Sequence, residues 1–330
     1  MVSAAEKALE PTSQPGLMVA LRRLYLRSET LRAYLLLSPI LTVMLTMMVV
    51  PMIGLFVMSF WTQVYFDIDR SFTIENYATI FRLSDKPIDF WADPFSVLQN
   101  PIYLKLLARS IQMSLTATIA VVLLAYPMAY FLAFRVSRHK LVWLILITVP
   151  FWTSYLLRIF AWKVILGYQG VINSGLISLG VITEPLEFIL YNPTAVTITL
   201  AHAWAAFAIL PIYVSLEKID RSLLEAATDL GDTPVQRFFR VTLPLSMPGT
   251  IAATLLVFIP TVGDYVTPTL VGGTSGIMIG NIIQSLFGKA NNAPLGAAVS
   301  ITSMLVITLI VCAFLWLIGY GRKSRGRADA

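Results

Sequence analysis

One carboxylate lies in an apolar run beside residues that break helices. The string TIAATLLVFIPTVGDYVTPTLVGG places Asp264 between Pro260, Gly263 and Pro268. Such breaks are expected near mid-membrane only where the freed backbone faces protein or a water-filled cavity, and they often mark a transport site. A carboxylate at that depth is costly unless it is paired or hydrated, which favours a functional role. The alternative is a structural partner for the backbone or for a base such as Arg158.

Aromatic residues occur beside this carboxylate and in a second apolar string, and they suggest what it could bind. Tyr265 follows Asp264, and a second apolar string, PFWTSYLLRIFAW, holds Trp152, Tyr155 and Trp162. A carboxylate among aromatic faces suits an organic cation, through charge attraction and cation–π contact. Tryptophans of membrane proteins are also commonly interfacial anchors, and no spacing argument makes these side chains converge.

No pattern in the chain predicts catalysis. The string G-x-x-x-x-G-K-[ST] for binding nucleotide phosphates is absent. Two histidines and the single Cys312 lie far apart and do not form a metal-ligand set. We therefore expect no catalytic residues, no metal and no cofactor in this chain, and a protein that is not an enzyme.

The composition is that of an integral membrane protein. Of 330 residues, 57% are hydrophobic and only 13% are charged, against about 25% charged in soluble domains. Six runs are long enough to cross a bilayer as helices. The predicted all-α spans are 34–61, 111–134, 141–162, 192–216, 250–271 and 297–320. The glycine-rich stretch 163–191 is expected to form short helices or re-entrant backbone on one membrane face, and a seventh span there is the alternative.

The basic residues indicate how the chain is oriented. Sixteen of its 24 lysines and arginines lie in four segments on one side of a six-span arrangement: 1–33, 135–140, 217–249 and 321–330. The positive-inside rule makes that side the cytoplasm, with both termini inside. The net charge of +6 is explained in this way, so no nucleic-acid partner is expected. The predicted domains are a tail at 1–33 with a basic amphipathic segment, a transmembrane domain at 34–320 that includes the cytoplasmic loop at 217–249, and a basic tail at 321–330.

The loop at 217–249, EKIDRSLLEAATDLGDTPVQRFFRVTLPLSMPG, predicts two short helices hinged at a glycine. Ser222 and Glu225 have capping-box spacing, as do Thr233 and Gln236, and Gly231 suits a left-handed helix end. Pro244 and Pro248 are expected to stop the second helix near residue 241. Apolar side chains in this loop predict that it docks into a partner or packs on the protein's own helix ends: Leu223, Leu224, Ala227, Leu230, Phe238 and Phe239.

The same loop resembles the EAA loop of the membrane subunits of bacterial ATP-binding-cassette importers. The residues that carry the resemblance are Glu225, Ala226, Ala227, Gly231, Val241, Leu243 and Pro244. The resemblance implies a type I importer-like permease whose segment from Glu225 through Asp229 to Gly231 is the coupling helix, seated in a groove of a cytoplasmic ATPase subunit. ATP and magnesium would then be bound by that partner.

Three further strings, PFWTSYLLRIFAW, GDYVTPTLVGG and MIGNIIQSLF, resemble the spermidine/putrescine permease subunits of these importers. This implies a translocation path for a polyamine in the bacterial inner membrane, lined by Asp264 and Tyr265. With Trp152 and Tyr155 from the aromatic string, the predicted path has four residues. The resemblance also implies two ATP-binding subunits, a second related permease and a periplasmic or extracellular binding protein. The preferred polyamine and the identity of the second permease stay open.

Three rivals remain. An opine, phosphonate or other small amine could be the cargo of the same importer class. A gradient-driven carrier or channel would need no ATPase and no EAA loop. A membrane-embedded enzyme would need a cluster of His, Asp or Cys at depth, which the sequence does not contain.

Overall fold

The computed structural model describes residues 29–84, 93–189 and 191–328, without the side chains at 31–32 and 321–328. The basic amphipathic segment predicted within 1–33 lies outside the described side chains. Two units make up the chain, one reaching Val57 and the other starting at Met58. Within the described residues, six helices are long and apolar enough to cross a membrane, so the predicted number of spans is confirmed.

The first unit contains one described helix, α1 (Glu29–Met58), which continues through its last residue into the second unit. Its apolar part, Ala33–Met58, agrees with the predicted first span. Pro39 and Pro51 lie inside the helix. Each proline removes one backbone donor, a loss that membrane helices tolerate when neighbouring groups satisfy the freed carbonyls.

After the first span the chain forms a small ordered structure. Strands β1 (Thr62–Val64) and β2 (Asp67–Asp69) pair antiparallel, and helix α2 (Glu75–Phe81) follows. The buried Asn76 amide donates to the carbonyls of Ser59 (2.9 Å) and Trp61 (2.8 Å), which fixes α2 against the start of the hairpin. After a 3₁₀ turn at Pro94–Val97, Lys105 pairs with Asp93, and its hydrogen bond holds the pKa of that carboxyl below the usual range.

Three long helices form the centre of the second unit: α3 (Ile102–Phe134), α7 (Pro193–Glu217) and α10 (Leu243–Val262). Their contact surface is made of small and branched apolar residues, among them Val121, Ala125, Ala129, Ala208, Ile212, Ala253 and Val257. Small residues allow membrane helices to approach closely. Helix α3 begins nine residues before the predicted span because its first turns carry Lys105 and Arg109, and charged residues were excluded from the predicted run.

Spans four and five approach each other closely at Gly249. A Cβ atom at this position would lie 2.3 Å from the Pro211 carbonyl oxygen and 2.4 Å from the Ser215 Cβ. Nearby, the hydroxyls of Tyr126 on α3 and Ser246 on α10 are hydrogen bonded at 2.6 Å. The three central helices are therefore joined by one close backbone contact and one polar contact.

The predicted third span at 141–162 is wrong. Helix α4 (Lys140–Thr148) passes into a 3₁₀ turn at Val149–Trp152, and the chain is extended at Thr153 before α5 (Tyr155–Leu166) and α6 (Val171–Ser178). Pro150 lacks the N–H needed to continue α4. The membrane-length element is Tyr155–Ser178, so the first half of the stretch predicted to be re-entrant belongs to a span.

The second helix of the loop continues into the fifth span. Helix α8 (Arg221–Asp229) precedes α9 (Pro234–Arg237), a π turn at Phe238–Thr242, and α10. The predicted stop at Pro244 and Pro248 is wrong, because the wider π turn lets the Leu243 N–H bond to the Phe238 carbonyl just before Pro244, which has no N–H. Pro260 also lies inside α10, and the break begins at Gly263.

Beyond the break, a π turn at Pro268–Gly272 leads to α11 (Ile279–Phe287) and α12 (Ala293–Ala328). The Ser110 hydroxyl on α3 accepts a hydrogen bond from the Ile279 N–H at 2.7 Å in the core, which anchors the start of α11. The last span, Ala293–Tyr320, agrees with the prediction, and its helix extends into the segment predicted as the basic tail.

Replacement of Gly249 by alanine tests the close contact between α7 and α10. The added methyl group must displace backbone atoms of α7, and overpacking of this kind costs about 1–3 kcal/mol. We expect a lower midpoint of thermal unfolding in detergent, followed by size-exclusion chromatography. Gly175→Ala is the matched control, because nothing lies within 4 Å of a Cβ atom there. Equal midpoints for both variants would contradict the contact.

Candidate functional site

The break in the fifth span opens onto a cavity of about 450 Å³. Helix α10 ends at Val262, and the chain resumes helical geometry at Val266. The cavity is lined from the third, fourth and fifth spans and the turn before α5. Its lining includes Phe151, Thr153, Tyr155, Arg158, Ala203, Trp204, Phe207, Gly263, Asp264 and Tyr265.

Asp264 holds the broken backbone in place. Its Oδ1 accepts the Val266 N–H at 2.9 Å, in the manner of a helix N-cap, and the Thr267 N–H at 3.5 Å. Its Oδ2 accepts the hydroxyls of Tyr155 and Thr267, both at 2.5 Å. A carboxylate offers about four acceptor positions. Neutral donors therefore occupy its hydrogen-bonding capacity, and among the described residues no basic side chain pairs with it.

The structure brings three of the four predicted path residues together. Tyr155 and Tyr265 line the cavity with Asp264, and both also border a second cavity of about 590 Å³ that reaches Gln284. Trp152 does not line either cavity, and 76% of it is exposed. The 3₁₀ turn directs Phe151 rather than Trp152 to the site, a detail that an assumed continuous helix across 141–162 could not reveal.

Two aromatic residues of the fourth span were missed. Trp204 packs edge to face on Tyr155 with ring centroids 6.3 Å apart, and Phe207 lies 5.2 Å from Trp204. The sequence did contain a signal for them. Trp204 is near the middle of the 25-residue helix Pro193–Glu217, whereas tryptophans that anchor a helix at the interface lie near its ends.

Arg158 brings a positive charge to the same cavity. Its Cζ lies 4.6 Å from the ring centroid of Phe151. Its terminal nitrogens donate to the carbonyls of Ala203 (2.9 Å) and Thr153 (3.2 Å). Within the described residues, no ion pair joins Arg158 to a carboxylate. The expected alternative of an Asp264–Arg158 pair is therefore absent, whereas the alternative of a backbone partner for Asp264 is present.

A second candidate surface lies in the loop at the other end of α10. Asp220 is the N-cap of helix α8. Its carboxylate accepts the Ser222 N–H at 3.0 Å, and this bond holds the pKa of Asp220 below the usual range. The predicted box of Ser222 and Glu225 is therefore wrong: Asp220 is already a better placed N-cap. The box of Thr233 and Gln236 is confirmed.

Gly231 has the predicted left-handed conformation, with φ of +89°. The Asp232 N–H returns to the Ala227 carbonyl at 3.0 Å, which closes the end of α8. Within the EAA segment, Ala227 is buried, while Glu225, Ala226 and Asp229 are exposed with Gly231. Arg240 pairs with Asp232 at 2.7 Å across the turn. The loop is thus an ordered pair of helices around a glycine.

Of the two predicted uses of the loop's apolar residues, the structure shows packing on the protein's own helix ends. Leu224 packs against the central core, and Phe238 contacts Tyr126 edge to face at 5.6 Å. Leu230 is 89% exposed at the glycine turn, and Leu223, Val235 and Phe239 are also exposed. We call Leu223, Leu230, Val235 and Phe239 the loop tip. One side of the loop packs on the protein's own helix ends, and the residues of the loop tip remain exposed.

Known proteins share both the sequence and the fold. The family described as "Binding-protein-dependent transport system inner membrane component" matches residues 113–321. The Escherichia coli K12 "Spermidine/putrescine transport system permease protein PotB" is 38% identical over 278 residues, covering 84% of this chain and 97% of that protein. The Haemophilus influenzae protein of that name is 39% identical over 242 residues, covering 73% and 78%.

Matches of lower identity are also components of transporters. The E. coli K12 "Inner membrane ABC transporter permease protein YdcU" is 34% identical over 225 residues, covering 64% of this chain and 71% of that protein. A chain from a crystal structure of a bacterial ABC transporter that imports alginate has a TM-score of 0.59 at 18% identity, covering 89% of this chain and 96% of that chain. The fold is that of an importer permease, and the chain belongs to the family of inner-membrane components of binding-protein-dependent transport systems.

Proposed function

We propose that this permease carries a polyamine of the spermidine or putrescine class through the cavity at the break in the fifth span. The observation that carries the proposal is a carboxylate among aromatic faces, at Asp264, Tyr155 and Trp204, with no basic partner in the described part of the chain. Ammonium groups are attracted both by that charge and by the rings. The names of the relatives that match most of the chain support the same cargo.

The loop tip is proposed to dock on a separate ATP-binding subunit. Four exposed apolar residues on an ordered loop fit an apolar groove in a partner. Two such subunits would bind ATP and magnesium and hydrolyse the ATP. A second, related permease would complete the path, and a binding protein would deliver cargo from outside. The basic residues support a cytoplasmic position for both termini and the loop.

In this proposal, ATP binding closes the ATPase pair and displaces the loop, and the spans rock between outward and inward openings. Helices α9 and α10 form one continuous element from the loop to the cavity, across about 29 residues or roughly 40 Å. A rigid element of this kind would carry a displacement from one site to the other.

Arg158 favours a second cargo class. A guanidinium in the cavity fits an amine that also carries an acid group, such as an opine or an aminophosphonate. Calorimetric titration of the proposed binding protein with putrescine, spermidine and acidic amines would distinguish the two classes, because it identifies the ligand that is delivered.

Replacement of Leu230 by aspartate tests the docking of the loop tip. A charge at the centre of an apolar contact is costly to desolvate, so co-purification of the ATPase subunit should fall roughly tenfold or more. Leu179→Asp is the matched control, because Leu179 is 77% exposed but lies beyond α6, outside the loop. If both variants retain the ATPase equally, the loop tip is not the docking surface.

Replacement of Trp204 by leucine tests the cargo and the cavity together. Loss of the ring removes a cation–π contact, and uptake of labelled putrescine and spermidine should fall about tenfold. The assay uses cells without other polyamine importers that express the whole transporter. Trp152→Leu removes a tryptophan outside the cavity and should leave uptake within about twofold of the unmodified protein. If the assembled transporter hydrolyses ATP but takes up no polyamine, the proposed cargo is wrong and the assignment as an importer is unaffected.

Replacement of Asp264 by asparagine separates attraction of the cargo from support of the backbone. The amide oxygen can still accept from Val266, but the negative charge is lost. We expect polyamine uptake to fall more than basal ATP hydrolysis, both measured in the same vesicles. Equal loss of the two activities would assign Asp264 a structural role alone.

A further inference from the structure

Arg158 is held in the cavity by groups that an incoming cation could also use. The two carbonyls of Thr153 and Ala203 accept its terminal N–H groups, and the Phe151 ring faces its guanidinium. An ammonium group also binds through N–H donors to carbonyl oxygens and through its charge to an aromatic face. The arginine and the cargo therefore have the same recognition chemistry.

Arg158 is not tied there by a carboxylate. Among the described residues it belongs to no ion pair, and its buried Nε has no hydrogen-bond partner. Asp264 lines the same cavity, but neutral hydroxyls and N–H groups occupy its oxygens. The two opposite charges thus share one cavity without forming a pair, and Arg158 can leave without breaking a salt bridge.

We propose that Arg158 is a tethered cation that occupies the cation site of the cavity when cargo is absent and that cargo displaces. With the guanidinium in place, the charges of Arg158 and Asp264 cancel. When the guanidinium withdraws, the cavity has one net negative charge and two free carbonyl acceptors. The proposal rests on the proposed function only in taking the cargo to be an organic cation.

The rates at which charged reagents modify a thiol in the cavity report the charge of the cavity without any cargo. Thr153 is exposed and lines the cavity, and Cys312→Ser removes the only native thiol of the chain. In the assembled transporter carrying Thr153→Cys and Cys312→Ser, the rates of modification by cationic aminoethyl and anionic sulfonatoethyl methanethiosulfonate are compared. Each rate is divided by the rate of the same reagent with 2-mercaptoethanol.

Arg158→Gln in this background should raise the normalised ratio of cationic to anionic rate about tenfold, because one positive charge leaves a partly desolvated site. Arg109→Gln is the matched control: Arg109 also donates to a backbone carbonyl, that of Ser275, but lies outside the cavity, and the ratio should not change. Methylguanidinium should slow the cationic reagent in the Arg158→Gln protein and leave the protein with Arg158 unaffected.

An unchanged ratio after Arg158→Gln, or no protection by methylguanidinium, would overturn the proposal. A second result would also overturn the proposal: faster modification by the anionic reagent while Arg158 is present, and equal normalised rates after Arg158→Gln. That result would make Arg158 an anion site.

If Arg158→Gln does not accumulate in the membrane, Arg158→Lys serves instead. Its compact ammonium cannot span both carbonyls, and we expect a rise of about threefold, while an unchanged ratio would contradict the proposal. If only polyamine uptake fails, the proposed cargo is wrong, but the result of the thiol modification still holds because no cargo is used in it.

Discussion

Backbone groups that leave a helix inside an apolar layer must find hydrogen-bond partners, and the break after Val262 depends on this requirement. Water cannot satisfy them in the hydrocarbon, and each unsatisfied group costs several kcal/mol. Asp264 meets the need by accepting from the N–H groups that begin the next helical segment, while Tyr155 and Thr267 support the carboxylate. The hydrogen bonds of this one side chain offset the free-energy cost of the break that lines the cavity. The residue that brings negative charge to the cavity is therefore also the residue that holds its backbone.

The continuous element from Pro234 to Val262 links the two candidate surfaces. It begins beside the glycine turn of the loop, passes through the π turn and ends at the broken backbone that lines the cavity. The π turn is the point where the helix adapts to Pro244, and the Tyr126–Ser246 hydrogen bond holds the following turn against α3. A displacement of the loop would therefore act on a braced helix rather than on a flexible connector, and the close contact at Gly249 would carry α7 with it.

Sequence reasoning succeeded where a local rule determined the outcome and failed where packing did. Apolar run length gave the number of spans, and the left-handed Gly231 and the cap of Thr233 and Gln236 follow from backbone chemistry. The third span was misplaced because hydropathy does not register a 3₁₀ turn at Pro150. Trp152 was chosen by residue type alone, and residue type does not show that this turn brings Phe151 to the cavity instead. The stop at Pro244 was wrong because proline rules assume α geometry, whereas a π turn removes the conflict. Trp204 was within reach, since its mid-span position already set it apart from interfacial anchors.

The balance of charge in the cavity bears on how an importer can bind a cation and still release it. A carboxylate with free acceptor positions would hold an ammonium group tightly in a partly desolvated site, and tight binding in the path slows release. In this cavity Asp264 attracts through its charge alone, since neutral donors already occupy its oxygens. Arg158 offsets that charge from a position where it is bound only by carbonyls and a ring. For the proposed cationic cargo, attraction strong enough for entry and weak enough for exit would follow from two charges that share one cavity without pairing with each other. A buried ion pair between the same residues could not provide this arrangement.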